Sequence, residues 1–192
     1  MTSYVALLHS IVLGAGRRIA MADLRRIAEE AGFTDPRTLV ATGNLVIETA
    51  EALPVATIEK RLEQGIFDSF GKHIDVIVLA GSAWLQLAAS NPFPSESDCD
   101  GSRVVVRAMR SPLEEDVRQR LQPYCADSER LTVVSGHLWV SFAGRPSEAR
   151  LLSQLTTRRL GVGTLRNWNT VKGLAAMLSG EQQILYSRPE TH

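Results

Sequence analysis

The sequence lacks a net charge and is poor in lysine. Lys+Arg and Asp+Glu each number 21 among 192 residues, so the formal net charge is zero. A protein dedicated to duplex DNA usually carries a strong basic excess, so this balance argues against such a partner. Only three of the basic residues are lysines, and the others are arginines, whose planar fork suits carboxylate and phosphate groups. Codon bias explains the same preference without any ligand.

Cysteine, long apolar runs and catalytic motifs are also scarce. The two cysteines, Cys99 and Cys125, lie in unrelated contexts, which favours free thiols in a cytoplasm over a disulfide. The four histidines show no metal-ligand spacing. No apolar stretch of the sequence approaches the length that a membrane span requires. Because no HExxH, GxSxG or paired acidic motif occurs, the sequence predicts no metal, no cofactor and no catalytic residue.

Apolar periodicity predicts one structural unit twice: a strand, a helix, a hairpin, a helix and a strand, with a short extra helix after each unit. This order is the split β-α-β, or ferredoxin-like, motif. The predicted fold class is therefore α/β (α+β) with two tandem ferredoxin-like units. The predicted boundaries are 1–91 for the first unit, 92–101 for a Pro-, Ser- and Asp-rich linker, 102–180 for the second unit and 181–192 for a C-terminal tail.

The two predicted hairpins also resemble each other in sequence. TGNLVI contains Gly43, and SGHLWV contains Gly136 at the equivalent position. After the second hairpin, SEARLLSQLTTRRL is predicted to form one helix that begins at Ser147. This one short similarity supports an internal repeat without proving a duplication.

The segment TLRNWNT, residues 164–170, places a polar cluster where the last strand passes into the last helix. Asn169 or Thr170 is expected to cap that helix. In a structural interpretation, Arg166 and Asn167 hydrogen-bond main-chain groups across the junction of the two units. In a functional interpretation, Arg166 grips a phosphate or carboxylate in bidentate fashion, and Asn167, Asn169 and Thr170 support it at the helix N-terminus. The pattern leaves both interpretations open.

A second candidate is LGAGRR, residues 13–18, between the first strand and the first helix. Main-chain N–H groups at Gly14 and Gly16 can hold an anion, and Arg17 and Arg18 add positive charge. The spacing matches neither the dinucleotide fingerprint nor a Walker A loop. A turn with solvated arginines is the simpler interpretation.

The predicted topology brings these distant residues to one end of the sheet. The third strand of a split β-α-β unit lies antiparallel beside the first, so Asn44 is expected to meet His9 and Ser10. The loop with Arg17 and Arg18 leaves from the same end, which predicts a common cleft. The alternative is that the Gly-Asn pair serves only the turn. His9 alone, without a nucleophile or carboxylate partner, does not make a catalytic site.

Four motifs then point to a family. The segments ALLHSIVLGAGRRIAMADLR, ATGNLVIE, AASNPFP and TLRNWNTVKGLAAM occur in this order. With them, the chain resembles the domain-of-unknown-function 1697 family, an uncharacterised and mostly bacterial family, over essentially its full length. The resemblance implies an α/β protein of paired ferredoxin-like units and implies no established activity.

The chain departs from that family pattern in the loop after the first strand. Where the pattern has Arg-Gly-Ile-Asn-Val-Gly-Gly, this chain has residues 9–15, with His9 and Val12 in place of the Arg and the Asn. A function that depends on that loop is therefore altered or lost. RNWNT, by contrast, is intact as residues 166–170.

These observations favour a cytoplasmic binding protein for a small anionic ligand. The alternative is an assembly module whose exposed sheet edges pair with another chain. The third hypothesis is an enzyme that acts on a phosphorylated or nucleotide substrate. RNA is not an expected partner, because Trp139 and Phe142 are an odd number of residues apart and should face opposite sides of a strand. No membrane partner is expected, and the sequence does not define the oligomeric state.

Overall fold

The structure is a computed structural model that describes residues 1–180. The first half contains, in chain order, β1 (Thr2–Leu8), β2 (Val12–Gly14), β3 (Arg17–Arg18), α1 (Met21–Glu30), β4 (Thr34–Leu39), β5 (Asn44–Thr49), α2 (Val55–Phe70), β6 (Val76–Ala80), α3 (Gly81–Ala89) and α4 (Pro94–Cys99). The second half contains β7 (Val104–Met109), α5 (Val117–Leu121), β8 (Arg130–Val134), β9 (His137–Ser141), α6 (Thr157–Leu160), β10 (Gly163–Asn167) and α7 (Trp168–Leu178). The predicted tail, 181–192, lies outside the described residues.

Two four-stranded antiparallel sheets form the frame. Their strand orders are β4-β5-β1-β6 and β10-β7-β9-β8. In the first sheet β1 lies between β5 and β6, and in the second sheet β7 lies between β9 and β10. This is the order of a split β-α-β unit, and the predicted α/β class is confirmed.

Side chains of the central strands alternate between two cores, because successive residues of a strand point to opposite faces. In β1, Tyr4, Ala6 and Leu8 pack on the outer face under α1 and α2, whereas Val5 and Leu7 face the second sheet. The space between the sheets is filled mainly by α3 and α7. A third core covers the outer face of the second sheet with α5 and the segment after β9. The two halves therefore share one central apolar layer.

Trp139 in β9 and Phe142 just after it lie on opposite sides of the second sheet, as their spacing predicts. Trp139 belongs to the central core, and Phe142 belongs to the outer core. Both side chains are buried, so neither presents a ring for stacking on a base.

The free edge of β6 is covered by two carboxylates of α2. Glu59 accepts from the Val78 main-chain N–H at 3.1 Å, and Glu63 accepts from the Val76 N–H at 2.9 Å. Arg110, from the second half, pairs with Glu63 and lies 3.5 Å from Glu59. Burial raises the pKa of Glu59, and the bond from Val78 and the charge of Arg110 oppose that shift. Because these two N–H groups are occupied, they are not free to pair with an added strand.

The predicted single helix over residues 147–160 is wrong. The chain instead forms 3₁₀ turns at Pro146–Glu148 and Arg150–Gln154, and then the short helix α6. A continuous helix would use the Leu155 carbonyl to accept from residue 159. In the structure that carbonyl accepts from buried Arg107 at 2.9 Å, while Arg159 donates to Thr156. A tertiary contact thus replaces the helical one.

Two segments predicted without regular structure contain short elements. LGAGRR forms the hairpin of β2 and β3, with a turn at Ala15 and Gly16. Residues 92–101 contain α4, and Phe93 at its start is buried in the central core. The division into units at 92–101 remains a prediction.

Gly136, in the β8–β9 turn, has both a positive φ and a close packing contact, and comparison with Gly16, which has only the positive φ, separates the two effects. Gly136 has φ +79°, and a Cβ added to it would lie 2.8 Å from Pro112 Cα. Gly16 has φ +76°, and a Cβ added to it would have no atom of residues 1–180 within 4 Å apart from its chain neighbours. We expect Gly136→Ala to lower the free energy of unfolding by about 2–4 kcal/mol, and Gly16→Ala by about 1–2 kcal/mol. Urea unfolding of the two variants gives both values. Equal losses would show that packing against Pro112 contributes nothing.

Candidate functional site

Arg166 stands where β10 of the second sheet reaches the first sheet. Its strand pairs with β7, which places Arg166 opposite Val106. The side chain is buried, and 8% of its surface is exposed. From this position it extends across the junction to the ends of β1 and β5, which belong to the other half of the chain.

The guanidinium of Arg166 donates to oxygen atoms of residues 1–180 with all three of its nitrogens. Its acceptors are Asn44 Oδ1, Thr164 Oγ1 at 2.7 Å, and the main-chain oxygens of Leu165 at 2.8 Å, Leu8 at 2.9 Å, Thr42 at 3.2 Å and Gly43 at 3.5 Å. Within residues 1–180, no carboxylate forms an ion pair with it. Burial lowers the pKa of Arg166 to about 10, so the group is still charged at pH 7.

These contacts give Arg166 a structural role, because it connects the second half of the chain to the ends of β1 and β5. A guanidinium has five N–H donors, and the nitrogens that carry them all bond to protein acceptors here. A phosphate or carboxylate would have to displace those acceptors before it could bind. The geometry therefore favours the structural interpretation of RNWNT over a ligand grip by Arg166.

The remaining residues of RNWNT also have structural partners. Asn167, rather than Asn169 or Thr170, is the N-cap of α7, and its Oδ1 accepts from the Thr170 N–H at 3.0 Å and from the Thr170 hydroxyl at 3.1 Å. The prediction of the cap residue was wrong because the helix begins at Trp168, two or three residues earlier than a cap at Asn169 or Thr170 would place its start. Asn169 lies against Gly101, where a Cβ would collide with its side chain.

The end of β1 meets the start of β5, as the topology predicts. Asn44 is fully buried and donates to the Leu39 carbonyl at 3.0 Å and to Thr42 Oγ1 at 2.9 Å. His9 follows β1, and its Nδ1 lies 2.9 Å from the Gly163 carbonyl oxygen. His9 therefore ties the first half to β10, as Arg166 does.

The other predicted residues of this cleft do not join that network. Ser10 Oγ accepts from the Val12 N–H at 3.1 Å, which is a local turn contact. Arg17 and Arg18 are exposed in the hairpin, and Gly14 and Gly16 border open space. No hydrogen bond or ion pair within residues 1–180 connects the arginines of the hairpin to Asn44 or Arg166. The structure thus brings together His9, Asn44 and Arg166 and leaves the hairpin apart.

A different cationic cluster surrounds Tyr124, just after α5. The guanidinium carbon of Arg150 lies 5.2 Å from the Tyr124 ring centroid, and that of Arg159 lies 5.3 Å from it. Hydrogen bonding to Arg159, followed by the positive charges of Arg159 and Arg150, lowers the pKa of the Tyr124 phenol. The ring therefore holds two like charges close to one hydroxyl group.

An open pocket of about 430 Å³ adjoins this cluster. Tyr124, Arg150 and a third arginine, Arg145, line it, and we call Tyr124, Arg145, Arg150 and Arg159 the arginine site. Sequence reasoning missed the site because the helix expected over 147–160 would have spread these side chains around its axis. The sequence feature that could have indicated this site is the excess of positive charge, since residues 145–159 contain four arginines and one glutamate.

The carboxylates of the pocket are only partly engaged with its arginines. Glu129 is buried and accepts from the Ala126 N–H at 3.0 Å. Glu148 lies 3.8 Å from Arg145, and both side chains are well exposed. Burial raises the pKa of the Cys125 thiol, which also lines the pocket, so this thiol is not activated as a nucleophile.

Two further features bear on the class of protein. Within residues 1–180, no three His, Cys, Asp or Glu side chains are grouped so as to hold a metal ion. None of the helices in that part of the chain has the length and apolarity that crossing a bilayer requires.

Comparison with known proteins concerns the family and the fold. The model of the family described as "Protein of unknown function (DUF1697)" matches residues 1–139. A solved structure of conserved bacterial protein SP0830 from Streptococcus pneumoniae is similar, with a TM-score of 0.70 and 20% sequence identity over 92% of this chain and 98% of that one. At this identity the likeness supports the fold alone. No curated protein matches the sequence.

Proposed function

Because the chain belongs to DUF1697, a family of proteins of unknown function, we propose its role from its own residues: it is a cytoplasmic protein that binds a small ligand carrying a phosphate or carboxylate group. The binding surface is the arginine site. Arg166, the residue that the sequence favoured for this task, stays outside the proposal because its donors are occupied within the protein.

The observation that carries the proposal is the pair of guanidiniums at Tyr124. Neither Arg150 nor Arg159 forms an ion pair with a carboxylate of residues 1–180. Some other exposed arginines do so with near neighbours, as Arg26 does with Glu30 at 2.8 Å, and what distinguishes Arg150 and Arg159 is that both lie over one ring. Two like charges held at one ring repel each other, and an anion bound beside the ring would relieve that repulsion.

The chemistry of the arginine site suits an oxyanion. Guanidinium groups bind phosphate and carboxylate oxygens through paired N–H donors, and the Tyr124 hydroxyl supplies a further hydrogen-bonding group. The pocket of about 430 Å³ has the size of a small-molecule site rather than of an extended macromolecular surface. The cytoplasmic location is supported by the two free cysteines, Cys99 and Cys125, which suit a reducing compartment.

The test is thermal unfolding with inorganic phosphate, against sodium chloride at the same ionic strength. At 100 times its dissociation constant, phosphate should stabilise the wild-type protein by about 2.7 kcal/mol. We expect Arg159→Ala to weaken phosphate binding about tenfold or more, because it removes one guanidinium of the pair.

Arg158→Ala is the matched control, since it removes the same charge from the same helix without touching Tyr124. It should keep the wild-type response to phosphate. An equal loss of binding in the two variants would mean that phosphate responds only to net charge. Absence of any phosphate-specific stabilisation in the wild-type protein would refute the proposal.

A further inference from the structure

One edge of the second sheet is not covered by another strand. β8 is the last strand in the order β10-β7-β9-β8, so β9 pairs with only one of its two sides. The β8–β9 turn consists of Ser135 and Gly136, whose φ values of +50° and +79° are those of a type I′ turn. In such a hairpin the two residues that flank the turn exchange main-chain hydrogen bonds. Val134 therefore faces β9, and so does every second residue before it.

Leu131 and Val133 consequently direct their main-chain N–H and C=O groups away from β9. Within residues 1–180, no loop or turn supplies a main-chain partner for these groups. Two open depressions, of about 680 and 390 Å³, adjoin the strand. Thr132 and Val133 line the first, and Leu131 and Thr132 line the second. Because neighbouring residues of a strand point to opposite faces, each depression extends around the edge of β8.

The other three sheet edges are occupied or interrupted. Glu59 and Glu63 accept from main-chain N–H groups of β6. β4 contains Pro36, and its register with β5 shifts at that point. β10 faces the first half of the chain, where His9 Nδ1 lies 2.9 Å from the Gly163 carbonyl oxygen. β8 has neither proline nor glycine and pairs with β9 in an unbroken register, so it lacks the features that keep an edge strand single.

We propose that β8 pairs with β8 of a second copy of this chain, antiparallel and about a two-fold axis at Thr132. This register sets Leu131 of each copy opposite Val133 of the other. All of the outward N–H and C=O groups of these residues then bond to one another, and the second sheets of the two copies become one continuous sheet. An axis at Leu131 or at Val133 would match only one of these two residues with its counterpart.

The side chains beside β8 favour a second copy over an unrelated strand. Leu131 and Val133 belong to the outer core of the second sheet, so their pairing across the axis extends an apolar surface. Glu115 lines only the depression that reaches Val133, whereas Arg118 also lines the one that reaches Leu131. Neither forms an ion pair within residues 1–180. Because the paired strands are antiparallel, Glu115 of each copy approaches Arg118 of the other.

Sedimentation of the full chain at concentrations up to about 1 mM tests the pairing. We expect the average mass to rise with concentration from that of one chain towards that of two. Val133→Pro removes an outward N–H and leaves the bonds to β9 in place, so it should weaken association about tenfold or more. Val133→Thr keeps the N–H and a β-branched side chain, and this matched control should associate as the wild type does. Thermal unfolding shows that both variants are folded.

A charge exchange at position 132 tests the register without removing a main-chain donor. Thr132 lies opposite its own counterpart only if the axis passes through it. Thr132→Lys and Thr132→Glu should therefore each lose self-association, because like charges meet across the axis, and a mixture of the two variants should associate again. Hydrogen exchange gives a second readout. The amides of Leu131 and Val133 should gain protection with concentration, whereas the amide of Thr132, which faces β9, should be protected at every concentration.

Three results would overturn the inference. A mass of one chain at every concentration would show that β8 does not pair with itself. Association that Val133→Pro leaves unchanged would place the contact on another surface. If the wild type associates but the mixture of Thr132→Lys and Thr132→Glu does not, the two-fold axis does not lie at Thr132.

Discussion

Arg166→Ala should lower the free energy of unfolding by about 3–5 kcal/mol, which is among the largest effects expected of a single substitution in this chain. The side chain is buried and joins the second half to the ends of β1 and β5 in the first. Its removal takes the Arg166 donor away from the Asn44 amide oxygen and leaves the Leu8 carbonyl with only the 3.4 Å contact from the Thr164 hydroxyl. Each buried acceptor left unpaired costs about 1–3 kcal/mol.

Urea unfolding checks this expectation, and two further variants calibrate it. Arg158→Ala, at an exposed arginine, should change the free energy of unfolding by no more than about 0.5 kcal/mol. Arg166→Lys keeps the charge but not the planar fork, so its loss should fall between the two. If Arg166→Ala proved as stable as the wild type while phosphate binding disappeared, RNWNT would be a ligand site after all.

Trp84→Ala should also cost about 3–5 kcal/mol, and the loss should reach both sheets. Trp84 is fully buried in the central layer, and its N–H donates to Val171 in α7, 87 residues later in the chain. Truncation opens a large cavity in the layer that both halves share and breaks that hydrogen bond. The two halves should consequently lose stability together rather than one by one.

Native-state hydrogen exchange measures the two halves separately. Amides of β1 and β7, the central strands of the two sheets, should lose protection by similar amounts in Trp84→Ala. Trp84→Phe, which keeps an aromatic ring in the layer, should lose clearly less than the alanine variant. Loss of protection confined to β1 would indicate two independently stable domains, in line with the boundaries predicted at 92–101.

Much of the fold could be predicted from local patterns. Alternating and continuous apolar runs identify β1, β5, β7 and β9, and the glycines at positions 32 and 71 mark the ends of α1 and α2, where each has positive φ. These features depend on neighbours within a few residues, which a sequence displays directly. Local patterns gave a wrong prediction at 147–160. There Arg107, from the distant strand β7, donates to the Leu155 carbonyl, which is therefore not used in a continuous helix.

The candidate site was less predictable, since a side chain's role depends on what surrounds it. Asn44 was singled out near one end of the first sheet, and Arg166 was singled out separately, in RNWNT at the junction of the two units. Their sequence positions do not reveal that the two bond to each other across 122 residues. The arginine site was missed altogether, because Tyr124 and Arg159 meet only after the intervening hairpin has folded.

The sequence by itself determined the α/β class, the repeated order of strands and helices, and the opposite directions of Trp139 and Phe142, since periodicity and turn residues act locally. Only the tertiary structure decided that Arg166 joins the two halves, that Arg150 and Arg159 share one aromatic ring, and that the Trp139 N–H has no acceptor within residues 1–180. The physical reason is the same in each case. Whether a polar group is free or occupied depends on burial and on acceptors supplied by remote parts of the chain, which become neighbours only in the folded state.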